Sequence, residues 1–272
     1  MTQDQRIGPS GYAGAPAGSS ARGARSARPA RRGRAGGVIQ GVLIAVGLIA
    51  MLGGFAMIAV QYRPYNVPTD SMESTIPAGT TVLAHTVKGT QVGRGDIVVF
   101  KDPQWGSMAE VKRVAGVGGD TVACCDAHGR VTVNGKPIDE PYLNTLGLKG
   151  MLGANGQAAS TFTAKVPAGR LFLLGDNRAV SLDSRSHLQL LSGTVPESAV
   201  MGRVEGAVWP FAQIGTIGRT SAFDALPGRD ATAHGPLGPL AVACVGGGVL
   251  VLATAAIGSL AGALGRRRRA GG

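Results

Sequence analysis

Charged side chains are scarce in this chain of 272 residues, at 16%, aromatic ones are scarcer at 4%, and there are only three cysteines. The low charge, set beside an apolar content of 44%, excludes a disordered chain over the full length. The cysteines exclude a disulfide scaffold, because Cys124 and Cys125 are adjacent and Cys244 stands inside an apolar run. No bridge between separated positions of one domain is available, so free or buried thiols are expected. Adjacent residues of a strand face opposite ways, which argues against a shared metal as well. The four histidines, His85, His128, His187 and His234, lack the close spacing of a zinc site. No metal and no cofactor is expected.

Two long uncharged runs are present. From Val38 to Val60 the only polar side chain in 23 residues is Gln40. At 1.5 Å per residue such a helix is ~35 Å long, enough for ~30 Å of hydrocarbon. A cleaved secretory signal is the alternative, but the run is too long and no small-x-small site precedes Gln61-Tyr62-Arg63. A second run, Leu237 to Leu264, is rich in Gly and Ala and ends against Arg266, Arg267, Arg268 and Arg269. Gly246, Gly247 and Gly248 weaken its helix propensity.

The net charge is +11, but its position matters more than its size. Seven arginines precede the first run; without these, the four after the second and Asp4, sixteen basic residues face fifteen acidic ones. A phosphate-tracking groove needs clustered positive charge, so no nucleic-acid partner is expected. Residues 1–36, mostly Gly, Ala, Ser, Pro and Arg, read as a disordered basic tail. An RNA-binding arm is the alternative. Charge flanking a span orients it, which places both arginine clusters in the cytoplasm. The expected order is therefore a cytoplasmic tail over 1–36, a transmembrane helix over 37–61, an extracytoplasmic domain over 62–225, a linker over 226–236, a second transmembrane helix over 237–265 and a basic cytoplasmic tail over 266–272. The lipid bilayer of the cell membrane is the implied partner of both runs.

Between the runs no long helical period appears. Short apolar or β-branched segments at 80–84, 96–100, 130–134, 170–174 and 200–204, bounded by Gly, Pro, Asp and Asn, are expected as strands. Asn134-Gly135 after Val131-Thr132-Val133 signals a tight hairpin. The domain is thus expected to be mainly β, built of small coiled sheets rather than alternating β and α units. Residues 144–160 read as an exposed loop.

Thr69-Asp70-Ser71 alone is more often a cap or a turn than a nucleophile. Lys112, within Glu110-Val111-Lys112-Arg113-Val114, could be any solvated strand lysine. Four segments in order change that reading: Pro68-Thr69-Asp70-Ser71-Met72, Gly95-Asp96-Ile97-Val98-Val99-Phe100, Val111 to Asp120, and Gly175-Asp176-Asn177-Arg178-Ala179-Val180-Ser181-Leu182-Asp183-Ser184-Arg185. Together with Asn134-Gly135-Lys136 and Glu140-Pro141-Tyr142-Leu143 they resemble the bacterial type I signal peptidases, membrane-bound serine proteases that remove leader peptides from exported proteins. The likeness covers about Tyr65 to Arg203.

The resemblance implies a coiled-sheet catalytic domain of the signal-peptidase kind, with Ser71 as nucleophile and Lys112 as general base in place of a histidine-containing triad. A lysine in water is protonated and cannot accept the serine proton, so the role demands a desolvated amine. Ser181 takes the position that orients the lysine. Thr69, with the Ser71 backbone N–H, takes that of the oxyanion donors. Arg113, Asp176, Asp183 and Arg185 match positions of structural ion pairs. Val67, Met72, Ile76 and Val111 match the apolar lining for substrates with small residues at the first and third positions before the cut, bound as an added strand; ordinary core packing is the alternative for these four. Thr69 stands where serine is common, and Ser74 and Gly118 where proline is usual, so a less rigid turn is expected at Ser74. A self-cleaving repressor would also carry a serine and a lysine, but the two spans and the lack of a helix-turn-helix pattern oppose it. A silent membrane scaffold has no reason to keep Ser71, Lys112, Thr69 and Ser181 together.

Overall fold

The computed structural model describes residues 32–143, 161–228 and 235–271. The expected tail up to residue 31, the expected 144–160 loop and residues 229–234 of the expected linker lie outside the described residues.

Helix α1 (Arg32–Gln61) runs without a break into strand β1 (Tyr62–Val67). There follow β2 (Thr80–His85), β3 (Ile97–Phe100), β4 (Glu110–Val117), β5 (Thr121–Cys124), β6 (Val131–Val133), β7 (Lys136–Pro137), β8 (Phe162–Lys165), β9 (Arg170–Leu174), β10 (Val195–Pro196), β11 (Val200–Trp209), β12 (Gly215–Thr216) and helix α2 (Leu237–Ala270). The fold is mainly β, and between α1 and α2 the described helices are single 3-10 turns. Each of the five expected strands falls on one of these, as β2, β3, β6, β9 and β11.

One antiparallel sheet has the order β1-β2-β11-β3-β4-β9-β10, with β12 beside β11, and a smaller one has the order β7-β6-β5-β8. Register shifts between Val204 and Gly206, between Ala207 and Trp209, and between Val114 and Gly116 bend the larger sheet. Asn134 and Gly135 both take positive φ, 54° and 76°, as the tight turn between β6 and β7 requires.

Strand β3 shows why this sheet has two covered faces. Ile97 and Val99 join Val67, Met72 and Val82 in one apolar cluster, while Val98 and Phe100 join Val114, Leu171 and Leu173 in another. Alternation sends neighbours to opposite faces, so a continuous apolar run marks a strand buried on both. A third cluster, around Val122, Val133, Phe162 and Phe172, lies under the smaller sheet.

Both long helices are apolar and long enough to cross a membrane, over Gly36–Gln61 and Leu237–Arg267. They touch through glycines: a methyl group on Gly47 would lie 2.9 Å from the Gly247 carbonyl oxygen, and one on Gly54 would lie 2.9 Å from that of Leu240. Such contacts let two backbones approach closely. Gln40, the one polar side chain of the first run, donates from Nε2 to the Thr254 carbonyl at 3.4 Å. The glycine triplet expected to weaken α2 is continuous helix, and its middle member packs on Gly47 and Met51.

The thiol expectation needs correction, because Cys124 and Cys125 are bonded to each other as a vicinal disulfide. Strand β5 ends at Cys124, so the alternation of faces that argued for separation does not extend to Cys125. Cys244 is free.

Candidate active site

Strand β1 delivers the site. Proline after Val67 favours an extended Val67, and β1 ends there, paired with Thr80 of β2. The chain then turns: Glu73 N–H donates to the Asp70 carbonyl at 2.9 Å and Ile76 N–H to that of Met72 at 2.8 Å. Ser71 sits in this turn, 8% exposed. Ser74 takes φ of 88°, a value closed to proline, and its Oγ donates to the Tyr142 carbonyl at 2.6 Å. The departure at Ser74 therefore gives a turn tied down by a different means.

Strand β4 supplies the partner. Lys112 is 4% exposed, and its Nζ lies 3.2 Å from Ser71 Oγ. Glu110, two residues earlier and on the same face of the strand, places Oε2 3.2 Å from the same Nζ. Thr69 Oγ1 donates to Ser71 Oγ at 3.2 Å. A cleft of about 380 Å³ opens beside these groups, walled by the 66–71 segment, by Trp105 to Lys112, and by Val180, Leu182 and His187. Trp105 stacks on His187 with ring centroids 4.3 Å apart.

The segment from Gly175 to Arg185 wraps the back of the turn. Asn177 N–H donates to the Ser71 carbonyl at 3.0 Å, which ties the nucleophile's backbone to this segment. Asp176 receives Arg113 Nε at 2.9 Å and Nη2 at 2.6 Å, and Thr75 Oγ1 at 2.6 Å. Burial opposes the charge of Arg113, but Asp176 outweighs it and holds the guanidinium above its ordinary value. Asp183 accepts from Gly175 N–H at 3.0 Å and pairs with Arg185, whose Nη2 reaches the Arg178 carbonyl at 2.9 Å. Arg178, also buried, pairs with Glu140, and Arg113 covers the Tyr142 ring at 3.9 Å. Burial, then the Glu140 carboxylate, push the Tyr142 hydroxyl well above the usual tyrosine range.

Of the residues singled out in the sequence, Ser71, Lys112 and Thr69 meet within hydrogen-bonding distance. Arg113 with Asp176, and Asp183 with Arg185, form two ion pairs. Ser181 is 7% exposed and next to the Ser71 backbone, since a methyl group on Gly175 would crowd both; among the described residues its Oγ has no hydrogen-bond partner. Val67 and Val111 line the cleft, whereas Met72 and Ile76 are 0% and 1% exposed in the apolar cluster behind it. Thr75 and Trp105 escaped sequence reasoning, and Glu110, Asn177 and His187, though named in it, were given no role at the site. Only Glu110 carried a signal, its spacing of two from Lys112 on a strand.

Comparison with known proteins identifies the family. The family model described as signal peptidase, peptidase S26, matches residues 38–209. A probable signal peptidase I of Mycobacterium leprae is 32% identical over 231 residues, covering 66% of this chain and 78% of the relative. Signal peptidase IB of Staphylococcus aureus strain COL is 33% identical over 189 residues, covering 64% and 90%. A crystal structure of a signal peptidase I from Enterococcus faecalis V583 is 31% identical, covers 40% of this chain and 93% of that one, and superposes with a TM-score of 0.33. The matched stretch contains β1, β4 and the Gly175–Arg185 segment, and this chain belongs to the signal peptidase family, peptidase S26, as a signal peptidase I, a serine peptidase that cleaves signal peptides.

Proposed function

We propose that Ser71 and Lys112 are the catalytic dyad of this enzyme, and that it works on the outer side of a membrane crossed by α1 and α2. The observation that carries the dyad is the 3.2 Å contact between Lys112 Nζ and Ser71 Oγ inside a cleft. In the reactive form Nζ is a neutral amine and the contact runs from the serine hydroxyl to the amine. As Oγ attacks the scissile carbonyl, its proton passes to Nζ, and the ammonium so formed can protonate the leaving amine. Water then attacks the acyl-enzyme with Lys112 again as base.

The Ser71 backbone N–H and the Thr69 hydroxyl are the oxyanion donors in this reading. Thr69 Oγ1 rests on Ser71 Oγ in the free enzyme and would turn toward the oxyanion, a donor of the kind worth ~3–4 kcal/mol. Ser181, buried beside the Ser71 backbone, is assigned the role of orienting Lys112 during the reaction. Val67 and Val111 face the cleft, with Met72 and Ile76 packed behind them. An apolar wall of this kind suits small side chains at the first and third positions before the cut, on a peptide held as an added strand.

The topology follows from charge. The arginines before α1 and at the end of α2 favour cytoplasmic termini, which leaves the sheets outside. Ser71 follows the end of α1 by ten residues. At ~3.3 Å per extended residue this keeps it within ~35 Å of the bilayer, where a leader peptide still embedded could present its cut site. Nucleic acid has no place in this reading.

The test uses purified full-length enzyme in detergent with a preprotein carrying Ala-x-Ala. Ser71→Ala and Lys112→Ala are each expected to lower cleavage by about 10⁴-fold or more, as removal of one member of a coupled pair does, with circular dichroism unchanged. Cleavage retained by either variant sinks the dyad. A reporter fused after Gly272 that is accessible only from outside sinks the topology.

A further inference from the structure

Lys112 has two partners at one distance, and they make opposite demands on it. Ser71 needs a neutral amine to accept its proton. The Glu110 carboxylate, also 3.2 Å from Nζ, favours an ammonium. In the same cleft-facing pocket the Lys112 side chain is 5% exposed and that of Glu110 30%. The carboxylate can therefore keep its own hydration while the amine cannot.

We propose that Glu110 is a positioning residue for the peptidase reaction, acting through Lys112 as the counter-charge to the ammonium formed when Ser71 attacks. This rests on the dyad reading above. During the attack the serine proton moves to Nζ, so positive charge develops on nitrogen 3.2 Å from the Glu110 carboxylate oxygen. Glu110 gains or loses no proton itself. A preset negative charge at that point stabilises the transition state more than the neutral-amine ground state, which is the condition for a rate effect.

The surroundings leave Glu110 as the partner for this role. Strand β3 sets the apolar Val98 opposite Lys112, and β9, on the far side of β4, brings Leu173 and Leu174. Besides Glu110 and Lys112, the ionisable side chains lining the cleft are Asp70, from the nucleophile turn, and His187, stacked on Trp105. Arg113, the next residue on β4, points to the other face and is taken by Asp176.

The test is kcat/KM against pH for the full-length enzyme in detergent, with the preprotein substrate, for wild type, Glu110→Gln, Glu110→Asp, Glu73→Gln as an exposed acidic control, and Lys112→Ala. Glu110→Gln is expected to lower the alkaline plateau about tenfold and to move the acidic limb to lower pH. Glu110→Asp should restore part of both, and Glu73→Gln should leave the limb in place. A merely structural role would lower the plateau without moving the limb, and that result overturns the proposal. If Lys112→Ala cleaves, the dyad reading falls and this inference with it; if Lys112→Ala is dead and the Glu110→Gln limb stays put, this inference alone falls.

Discussion

The nucleophile turn and the Gly175–Arg185 segment touch each other and are built on opposite plans. In the segment nearly every charge has a close partner: Asp176 with Arg113 and Thr75, Arg178 with Glu140, Asp183 with Arg185 and the Gly175 N–H. At the nucleophile itself the side-chain contacts are few and long. Ser71 Oγ has two neighbours, both at 3.2 Å. Saturated pairing holds a backbone in place, while loosely bonded hydroxyls remain free to exchange partners during a reaction. Two ties cross the boundary, Asn177 N–H to the Ser71 carbonyl and Thr75 Oγ1 to Asp176, and both transmit position without touching the reactive oxygen.

If that division is correct, substitutions on the two sides should separate activity from stability. The largest effect is the loss of cleavage in Ser71→Ala and Lys112→Ala, with thermal unfolding unchanged. Next is Asp176→Asn, which strands a guanidinium that is 3% exposed. Breaking a buried pair by removing one partner costs about 3–5 kcal/mol, expected as a fall in Tm of roughly 10 °C by calorimetry. An Asp176→Asn enzyme of normal Tm would erase the contrast. Thr69→Val should do the reverse, lowering kcat about 100-fold with Tm nearly unmoved, and Thr69→Ser should recover it.

The smallest expected effect lies outside both regions and calibrates them. Asp120 is buried, which opposes its charge, yet Arg94, the Val117 N–H and Asn134 hold its carboxyl below the ordinary range. A depressed folded value means that the stabilisation is complete above the unfolded value near ~3.9 and is lost as pH falls through the folded one. Urea midpoints measured from pH 5 downward should decline in the wild type and decline less steeply in Asp120→Asn. An equal slope would remove Asp120 from the acid response.

Much of this was legible before any coordinates. Asn134-Gly135 announces its hairpin because positive φ at two successive positions tolerates few side chains, and strands such as β3 announce themselves by unbroken apolar runs. The site was legible only through a resemblance spread over four segments, since the Thr69-Asp70-Ser71 triplet and a strand lysine are each ordinary. What stayed hidden depends on contacts between distant residues. The pairing of β2 with β11 joins residues more than a hundred apart, and the stacking of His187 on Trp105 follows from no local rule. Met72 and Ile76 show the limit of position-matching, because a residue can adjoin a pocket in sequence and still be wholly enclosed behind its wall.

The glycine contact between α1 and α2 has a mechanical consequence. A domain hung from one helix can swivel about that helix; one hung from two that are locked side by side cannot. Helix α1 passes into β1, and Leu237 at the start of α2 is itself buried, while Glu205 of β11 accepts from Tyr62 Oη at 2.5 Å. In the proposed topology the cleft would then keep one orientation relative to the helix pair, so that leader peptides would have to reach it along the same face of that pair.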